Sequence, residues 1–505
     1  MRDMKDHEPN IYSTAFLGLD TPQLNVEADI RPGLPQIQIV GLSEARGKAI
    51  RERVRAALLN CGFKVPDQRI TINLSPTDLP TDHPGYDLPI ALALLARSQQ
   101  LPKSALADYC ALGELRLDGS ILPVPGLLLT AKACQESGQP LVCASTSFPS
   151  YLTNLRHVSL DHLSDLRTPS SLQPTSKPST RGGAHADQNR SQSMTQVAGQ
   201  QLHAIRDQPL GKLGLLTAAL GGHHLLLCGP PGSGKTMLAQ AMMPLLAPIK
   251  DRTRMEIACI RSLQSKPTLT HQIDERPFRS VHHSTSSAAL IGGGAPPKPG
   301  EISLAHGGIL FLDELPEFSA VTLNQLREPL ESGVISLSRS HYQVTYPARF
   351  QLIAAMNPCP CGWLGSGRPC RCDPQRVLRY QQKISGPILD RIDLQVAVSP
   401  VSSQRLFERD AGDLGDDLLA QLESARQFRT IRLEKKPKDF EIRLTRKAQG
   451  FLIDAANALG LSARSVNKIM QVSRTLADLH LEDDVLVNHV EGALALRTAL
   501  GSSQQ

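Results

Sequence analysis

The sequence has few aromatic residues and no long apolar stretch. Phenylalanine, tryptophan and tyrosine make up 4% of its 505 residues, and there is a single tryptophan. The most apolar segment, residues 213–227, is interrupted by glycine and histidine. Because a transmembrane helix needs about 20 consecutive apolar residues, the sequence predicts no membrane span and no membrane partner.

Signals for secretion and a strong charge of one sign are also missing. Residues 1–10 are polar and charged, which predicts no secretory leader. The net charge of +6 is compatible with a nucleic-acid partner but does not identify one. Ten cysteines without a leader are expected to be reduced thiols, with metal binding as the alternative for some. We therefore expect a cytoplasmic protein.

Composition divides the chain into predicted domains. Residues 168–193 are rich in serine, proline, threonine, glutamine and glycine, and contain one leucine and no aromatic residue. Such a segment buries too little apolar surface to order itself. We therefore predict an N-terminal domain over residues 1–166, a disordered linker over 167–193, and two further domains over 194–400 and 401–505.

Hydrophobic periodicity predicts the class of the first and last domains. Residues 36–40 and 69–74 have strand patterns, residues 43–60 and 88–95 have helical spacing, and residues 112–119 predict a hairpin with an Asp-Gly turn. These elements indicate an α+β domain. The last domain is predicted to be mostly helical, with helices over residues 416–432, 445–460, 462–477 and 482–500.

The most informative motif is GPPGSGKT at residues 229–236, which has the spacing of a phosphate-binding P-loop. An apolar strand pattern precedes it and a helical pattern follows, as the motif requires. Glycines let backbone N–H groups face phosphates, lysine reaches the β- and γ-phosphates, and threonine binds Mg²⁺. We predict ATP and Mg²⁺ as cofactors, with ATP bound by Gly229, Pro230, Pro231, Gly232, Ser233, Gly234, Lys235 and Thr236.

A second apolar segment, at residues 309–312, ends in Asp313 and Glu314. A buried parallel strand with acids at its carboxyl end fits the ligand crevice of an α/β sheet. Asp313 is expected to hold Mg²⁺ through water, and Glu314 to act as general base for the attacking water. Together with the P-loop, this Walker B pattern predicts hydrolysis of ATP rather than binding alone.

Residues 276–294, 299–308, 354–362 and 384–394 resemble segments of magnesium-chelatase-like AAA+ ATPases, and within them the ComM/YifB family. The resemblance runs nearly end to end, apart from the linker. It implies a multidomain α/β fold: a Lon-protease-like N-terminal α+β domain, a P-loop AAA+ core on a parallel sheet, and a C-terminal helical lid. It also implies a ring, usually a hexamer, with ATP at each subunit interface.

The resemblance implies roles for further residues. Asn357 matches sensor 1, which positions the attacking water, Arg391 matches the arginine finger given to the neighbouring subunit, and Arg464 matches sensor 2 on the lid. Solvated turns or surface ion pairs are the alternatives. An insert around residues 291–299 and a hairpin over 333–349 are expected to face a pore. Their candidate DNA contacts, with plain solvated surface as the alternative, are Lys298, Arg339 and His341.

Two segments depart from the family pattern. Gly85 stands where a Lon protease would carry its catalytic serine, so proteolysis is not expected. Before the P-loop strand, residues 197–201 match only in part, and residues 202–220 form a longer segment than is usual in the family, which leaves the contacts to adenine unassigned.

Four cysteines cluster in the sequence, with glycines and a proline between the two pairs. Four thiolates in such a turn-rich loop can hold Zn²⁺ in a tetrahedron. The C-x-C spacing is tighter than the usual zinc spacing, however, and reduced thiols in an irregular loop are the alternative. The sequence leaves both interpretations open for Cys359, Cys361, Cys370 and Cys372.

The residues themselves predict ATP hydrolysis in a ring, and the resemblance implies what the ring does. It implies an ATP-dependent motor on branched or single-stranded DNA. Such a motor would be a branch-migration helicase that promotes DNA integration by homologous recombination during natural transformation. The alternative is a chelatase-type ATPase that remodels a protein partner without DNA.

Overall fold

The computed structural model describes residues 10–101, 108–146, 148, 152, 154–168, 174, 202, 205, 208–264, 275–339, 342–400, 414–435 and 442–497. Most of the predicted linker, residues 197–201 and His341 lie outside these residues, as does the side chain of Arg339. Within the described part, no helix combines the length and the apolar character needed to cross a bilayer.

The N-terminal region is a mixed sheet covered by three helices among its described residues. The elements are β1 (Ile11–Thr14), β2 (Gln23–Arg31), β3 (Gln36–Val40), α1 (Glu44–Asn60), β4 (Arg69–Ser75), α2 (Asp87–Arg97), β5 (Tyr109–Leu112), β6 (Glu114–Leu115), β7 (Ile121–Leu122), α3 (Leu127–Ser137), β8 (Leu141–Ala144) and β9 (His157–Leu160).

The seven strands of this sheet follow the order β3-β4-β2-β1-β5-β8-β9. The β1–β2 and β2–β4 pairs are antiparallel and the other pairs are parallel. Helix α1 confirms the helix predicted over residues 43–60, and its core face buries Ile50, Val54 and Leu58. The predicted hairpin is present as β6 and β7, but Leu112 lies outside it because it pairs with Cys143 in the main sheet.

Gly85 is buried and closely surrounded by side chains. A Cβ built there would lie 2.7 Å from Cδ1 of Leu112 and 3.0 Å from Nδ1 of His83, so a serine would require these side chains to shift. Two residues on, the buried Asp87 accepts hydrogen bonds from the Arg53 guanidinium at 2.8 and 3.0 Å. The position that a Lon protease would use for its nucleophile is therefore packed as part of the core.

The central region is built on a second sheet. Its elements are α4 (Pro209–Gly221), β10 (Leu225–Cys228), α5 (Lys235–Ala241), α6 (Asp251–Ser262), β11 (Phe278–Val281), α7 (Ser287–Ile291), β12 (Gly292–Gly293), β13 (Lys298–Pro299), α8 (Glu301–Leu304), β14 (Ile309–Leu312), α9 (Ala320–Asn324), α10 (Arg327–Ser332), β15 (Val334–Arg339), β16 (Tyr342–Pro347), β17 (Gln351–Met356), α11 (Pro374–Gln382), α12 (Gly386–Leu389) and β18 (Leu394–Ala397).

The five strands β11-β14-β17-β10-β18 are all parallel, which confirms the predicted α/β core with a parallel sheet. Strands β10, β14 and β17 consist of buried residues throughout. This is the pattern of strands covered on both faces. Strands β15 and β16 form the hairpin predicted over residues 333–349, and β12 pairs with β13 inside the predicted insert.

The C-terminal region is helical in its described residues: α13 (Leu414–Lys435), α14 (Arg446–Leu459), α15 (Ala463–Leu479) and α16 (Val487–Ala495). Thr445 and Ser462 accept hydrogen bonds as the N-caps of α14 and α15. The last helix starts later than predicted. The guanidinium of Arg474 binds the carbonyl groups of Glu482 and Asp483, which holds that segment outside the helix.

The N-terminal and central regions pack directly on each other. The N–H of Gly126, before α3, donates to the carbonyl oxygen of Ser262 at 2.6 Å. Buried residues of α3 and α6, among them Cys134 and Cys259, share one apolar cluster. A cavity of about 450 Å³ also lies between the regions, and Lys298 of the insert borders it together with Arg46 and His83.

Candidate nucleotide-binding site

The predicted P-loop leaves the carboxyl end of β10 as an open turn. Gly232 and Gly234 have φ values of +74° and +87°, a left-handed conformation that favours glycine, and the space beside both is empty. Gly229 is crowded instead, since a Cβ there would meet the carbonyl oxygen of Val398. Helix α5 then begins at Lys235. The backbone is therefore shaped to approach a phosphate group closely.

Lys235 lies within a small polar network. Its ammonium group donates to the carbonyl oxygens of Gly229 and Pro230 at 2.7 and 2.9 Å. It also donates to Oδ1 of Asn357 at 3.2 Å. Burial lowers the pKa of Lys235 below its ordinary value. The structure thus brings the predicted sensor 1 residue to the P-loop lysine, across two neighbouring strands.

The two predicted acids lie beside the P-loop, at the end of β14. The hydroxyl of Thr236 donates to Oδ2 of Asp313 at 3.4 Å. The other carboxylate oxygen of Asp313 accepts the N–H of Glu314 at 2.9 Å. Glu314 has a φ of 52°, an unusual value for a residue other than glycine. Strained backbone of this kind is concentrated at functional sites.

The sequence analysis missed a partner of Glu314. Nδ1 of His283 lies 3.2 Å from Oε2 of Glu314. His283 follows β11, which is the parallel neighbour of β14, so both side chains emerge at the same edge of the sheet. Two histidines directly after a short strand were the signal in the sequence that could have indicated this position.

Arg391 and Arg464 are brought together by Glu331, another residue that sequence reasoning missed. Arg391 contacts one oxygen of Glu331 at 2.5 Å and Arg464 the other at 3.4 Å. The hydrogen bond from Arg391 is the main cause that lowers the pKa of Glu331. Arg391 also donates to the carbonyl groups of Arg327 and Pro387, and its side chain is only 12% exposed. None of its recorded hydrogen bonds to described residues reaches the P-loop of its own chain.

Lys298 lies away from the nucleotide crevice, on the insert. Its side chain is exposed at the border of the cavity between the two regions. The insert also contacts the hairpin, since the Tyr346 hydroxyl donates to the carbonyl oxygen of Pro297 at 2.9 Å. Arg339 ends β15, and the predicted DNA contact at His341 lies outside the described residues.

The four clustered cysteines converge in space. All four sulfur atoms lie within 4.8 Å of one another. Three of the distances are 3.4, 3.5 and 3.7 Å, among Cys359, Cys361 and Cys370. Backbone N–H groups of Trp363 and Arg371 hold the pKa of the Cys361 thiol at about 6. For Zn–S bonds of about 2.3 Å, tetrahedral geometry requires sulfur–sulfur distances of about 3.8 Å, so the donor set fits the metal.

The cysteine loop also touches the P-loop. Gly362 has a φ of +83°, and a Cβ at this position would lie 2.5 Å from Cδ of Pro231. The first cysteine follows Asn357 by two residues. The loop is therefore packed against the nucleotide crevice on one side.

Family models cover most of the chain. The model described as magnesium chelatase, subunit ChlI, matches residues 201–406. A model for subunit ChlI of Mg-chelatase matches residues 26–147, and a model for the ChlI C-terminal part matches residues 418–497.

Two of the relatives match this chain over nearly its whole length, and a third matches part of it. The protein YifB of Salmonella typhimurium is 41% identical over 498 residues, covering 96% of each chain. Competence protein ComM of Haemophilus influenzae is 39% identical over 503 residues, covering 96% of this chain and 97% of the relative. Lon protease 2 of Bacillus subtilis is 31% identical over 171 residues, which is 29% of this chain and 30% of the relative.

The geometry predicts distinct defects for two substitutions. Lys235→Ala removes the cation that faces the phosphates, so nucleotide binding should be lost. Glu314→Gln should still bind ATP but hydrolyse it roughly 10²–10⁴-fold more slowly, because an amide cannot accept the proton. Fluorescent-nucleotide binding and steady-state phosphate release measure the two effects. Near-normal turnover in Glu314→Gln would remove Glu314 from the catalytic role.

Proposed function

The chain belongs to the ComM/YifB family of magnesium-chelatase-like AAA+ proteins, and from this membership we propose that it hydrolyses ATP in a ring of subunits and uses the energy to move on DNA. The observation that carries the ATPase proposal is the meeting of three strand ends. The P-loop, the Asp313–Glu314 pair and Asn357 follow the neighbouring parallel strands β10, β14 and β17.

Each of these residues has a task in the proposed reaction. The P-loop backbone and Lys235 bind the phosphates of ATP, where the ammonium group exchanges its carbonyl partners for phosphate oxygens. Thr236 and, through water, Asp313 would hold Mg²⁺, which supplies positive charge to the phosphate oxygens. Asn357 orients the attacking water, and Glu314 accepts its proton. The His283 ring holds the Glu314 carboxylate in position beside them.

We further propose that each active site is completed by a second subunit. Arg391 contacts Glu331 and two backbone carbonyl groups, which keeps its guanidinium near the lid. An arginine held there can contact the nucleotide bound by a neighbouring chain, where it neutralises negative charge in the transition state. Because Glu331 also binds Arg464, we propose that both arginines act at one interface of the ring, with a hexamer as the expected assembly.

The DNA part of the proposal rests on family membership and on charge. One full-length relative is named as a competence protein. The net charge of +6 suits a polyanionic partner. We propose branch migration during homologous recombination in natural transformation as the biological step, with branched or single-stranded DNA as the substrate.

A chelatase-type ATPase that remodels a protein partner is the second candidate. It is favoured by the three family models, which are all named for a magnesium chelatase subunit. A Lon-type protease is disfavoured, because the space beside Gly85 is filled by Leu112 and His83.

We also propose that Cys359, Cys361, Cys370 and Cys372 bind one Zn²⁺ per chain. The support is the clustering of their sulfur atoms at distances close to those in a tetrahedral site. Because Gly362 packs on Pro231, a metal in this loop would stabilise one wall of the nucleotide crevice.

The motor proposal predicts that DNA stimulates hydrolysis. We expect the ATPase rate of the purified protein to rise about fivefold or more with branched DNA, since DNA binding and ATP hydrolysis are coupled in a DNA motor. Lys235→Ala protein measures the background from contaminating ATPases. A rate that ignores branched and single-stranded DNA alike would favour the chelatase-type alternative.

The shared-site proposal predicts rescue in mixed rings. Arg391→Ala alone should bind ATP but lose turnover by roughly 10³–10⁵-fold. Mixing it with Lys235→Ala subunits should restore part of the activity, because an intact P-loop then meets an intact arginine at some interfaces. Arg252→Ala, at an exposed arginine on α6, is the control and should keep normal turnover. Mixed rings confirmed by mass measurement that show no rescue would argue against the shared site.

The metal proposal predicts about one Zn²⁺ per chain by elemental analysis of the purified protein. Cys370→Ser should lower this content and loosen the loop, whereas Cys61→Ser, at a buried cysteine of the N-terminal region, should leave it unchanged. Zinc-free protein with full ATPase activity would leave reduced thiols as the interpretation.

A further inference from the structure

Four exposed arginines surround the cysteine loop, and together we call them the arginine surface: Arg368, Arg371, Arg376 and Arg379. We propose that this surface binds the phosphate backbone of a single nucleic-acid strand. This proposal rests on the proposed DNA-motor function. It adds a place where the motor would hold a DNA strand, separate from the insert and the hairpin.

These arginines lie within twelve residues of chain, in the cysteine loop and on the helix that follows it. Arg371 stands between two of the clustered cysteines, and α11 starts three residues later. On this helix Arg376 and Arg379 are three residues apart, so they lie on the same face. Tyr380, four residues after Arg376, is the buried residue of this helix, while Arg376 and Arg379 are exposed. The helix is therefore held at Tyr380 and leaves both guanidinium groups accessible to solvent.

The charge of the arginine surface is not neutralised within the described part of the chain. None of the four arginines has a recorded ion pair with a described carboxylate. The one acid between them, Asp373, accepts the N–H of Arg376 at 2.9 Å as the N-cap of α11. By contrast, the exposed Arg252 on α6 pairs with Glu256. Closely spaced unpaired guanidinium groups attract a polyanion and release its counterions on binding.

An aromatic ring lies at the edge of the same surface. The guanidinium carbon of Arg368 is 4.5 Å from the centre of the Trp363 ring. Single-stranded nucleic acids combine phosphate contacts with stacking of bases on aromatic and arginine side chains. A Trp–Arg pair beside exposed arginines favours a single strand over an acidic protein surface. Because Trp363 is the only tryptophan in the chain, its fluorescence reports on this place alone.

The arginine surface is linked to the nucleotide crevice through short contacts. Nε2 of Gln381 on α11 donates to the carbonyl oxygen of Pro358 at 3.0 Å. Pro358 directly follows Asn357, which accepts from Lys235. A nucleic-acid strand bound on α11 would thus be separated from Lys235 by two contacts. We therefore expect binding of the nucleic acid to change the rate of ATP hydrolysis.

The test uses the full-length protein and a 20-nucleotide oligo-dT strand. Binding should quench Trp363 fluorescence in the unaltered protein. The double variant Arg376→Gln/Arg379→Gln should bind roughly three- to tenfold more weakly at low salt, and the slope of log affinity against log salt should fall by about 0.7 for each lost phosphate contact. Its ATPase rate without DNA should stay unchanged, and its DNA stimulation should fall.

Two further measurements make the result specific. Arg446→Gln/Lys447→Gln removes two exposed charges from α14, in the C-terminal helical region, and should leave affinity and salt slope intact. Light scattering on the double variant checks its assembly, and an unchanged mass is expected. A smaller assembly with unaltered strand binding would mean that the arginines contact a neighbouring subunit, which overturns the inference.

The remaining outcomes separate this inference from the proposed function. If the double variant binds and responds to oligo-dT like the unaltered protein, the strand lies elsewhere; the inference fails while the DNA motor stands. If the unaltered protein neither binds DNA nor is stimulated by it, both fail. Trp363 quenching with an unchanged salt slope in the double variant would also overturn the assignment of these arginines to phosphates.

Discussion

The candidate site depends on one constraint, the parallel alignment of β10, β14 and β17. Cys228 pairs with Met356, and Leu312 pairs with Ala354, so the residues after each strand emerge side by side. The contacts from Lys235 to Asn357 and from Thr236 to Asp313 follow from that register. A slip of one residue in any of these strands would turn its side chains to the opposite face and separate the groups.

Ion pairs connect the helical C-terminal region to this sheet. Lys468 contacts Asp393 at 2.5 Å, and the same carboxylate accepts the N–H of His224 at the start of β10. Glu331 makes a second connection, because it binds one arginine after α12 and another on α15. A shift of the C-terminal helices would therefore move Arg464 relative to Arg391. In the proposed mechanism, this geometry would link the position of the C-terminal helices to the subunit interface.

The crevice is also bordered by parts of the chain outside the P-loop and the two acids. The cysteine loop packs on Pro231 from one side, and His283 reaches Glu314 from the neighbouring strand. The insert contacts the hairpin through the hydrogen bond from Tyr346 to Pro297, and it borders the cavity beside the N-terminal region. Binding at the cysteine loop can thus act on the candidate site through its contact with Pro231, which is the kind of link that the proposed DNA motor requires.

Elements that depend on local spacing could be read from the amino-acid sequence. The P-loop, the strand that ends in Asp313, and the helices capped by Thr445 and Ser462 could all be predicted, because glycine positions, caps and apolar periodicity act within a few residues. Contacts between side chains that are far apart in the sequence, by contrast, are visible only in the folded chain. Glu331 lies 60 residues from Arg391 and 133 from Arg464 along the chain. No local pattern specifies such distances, since they arise from the packing of helices and strands around a common core.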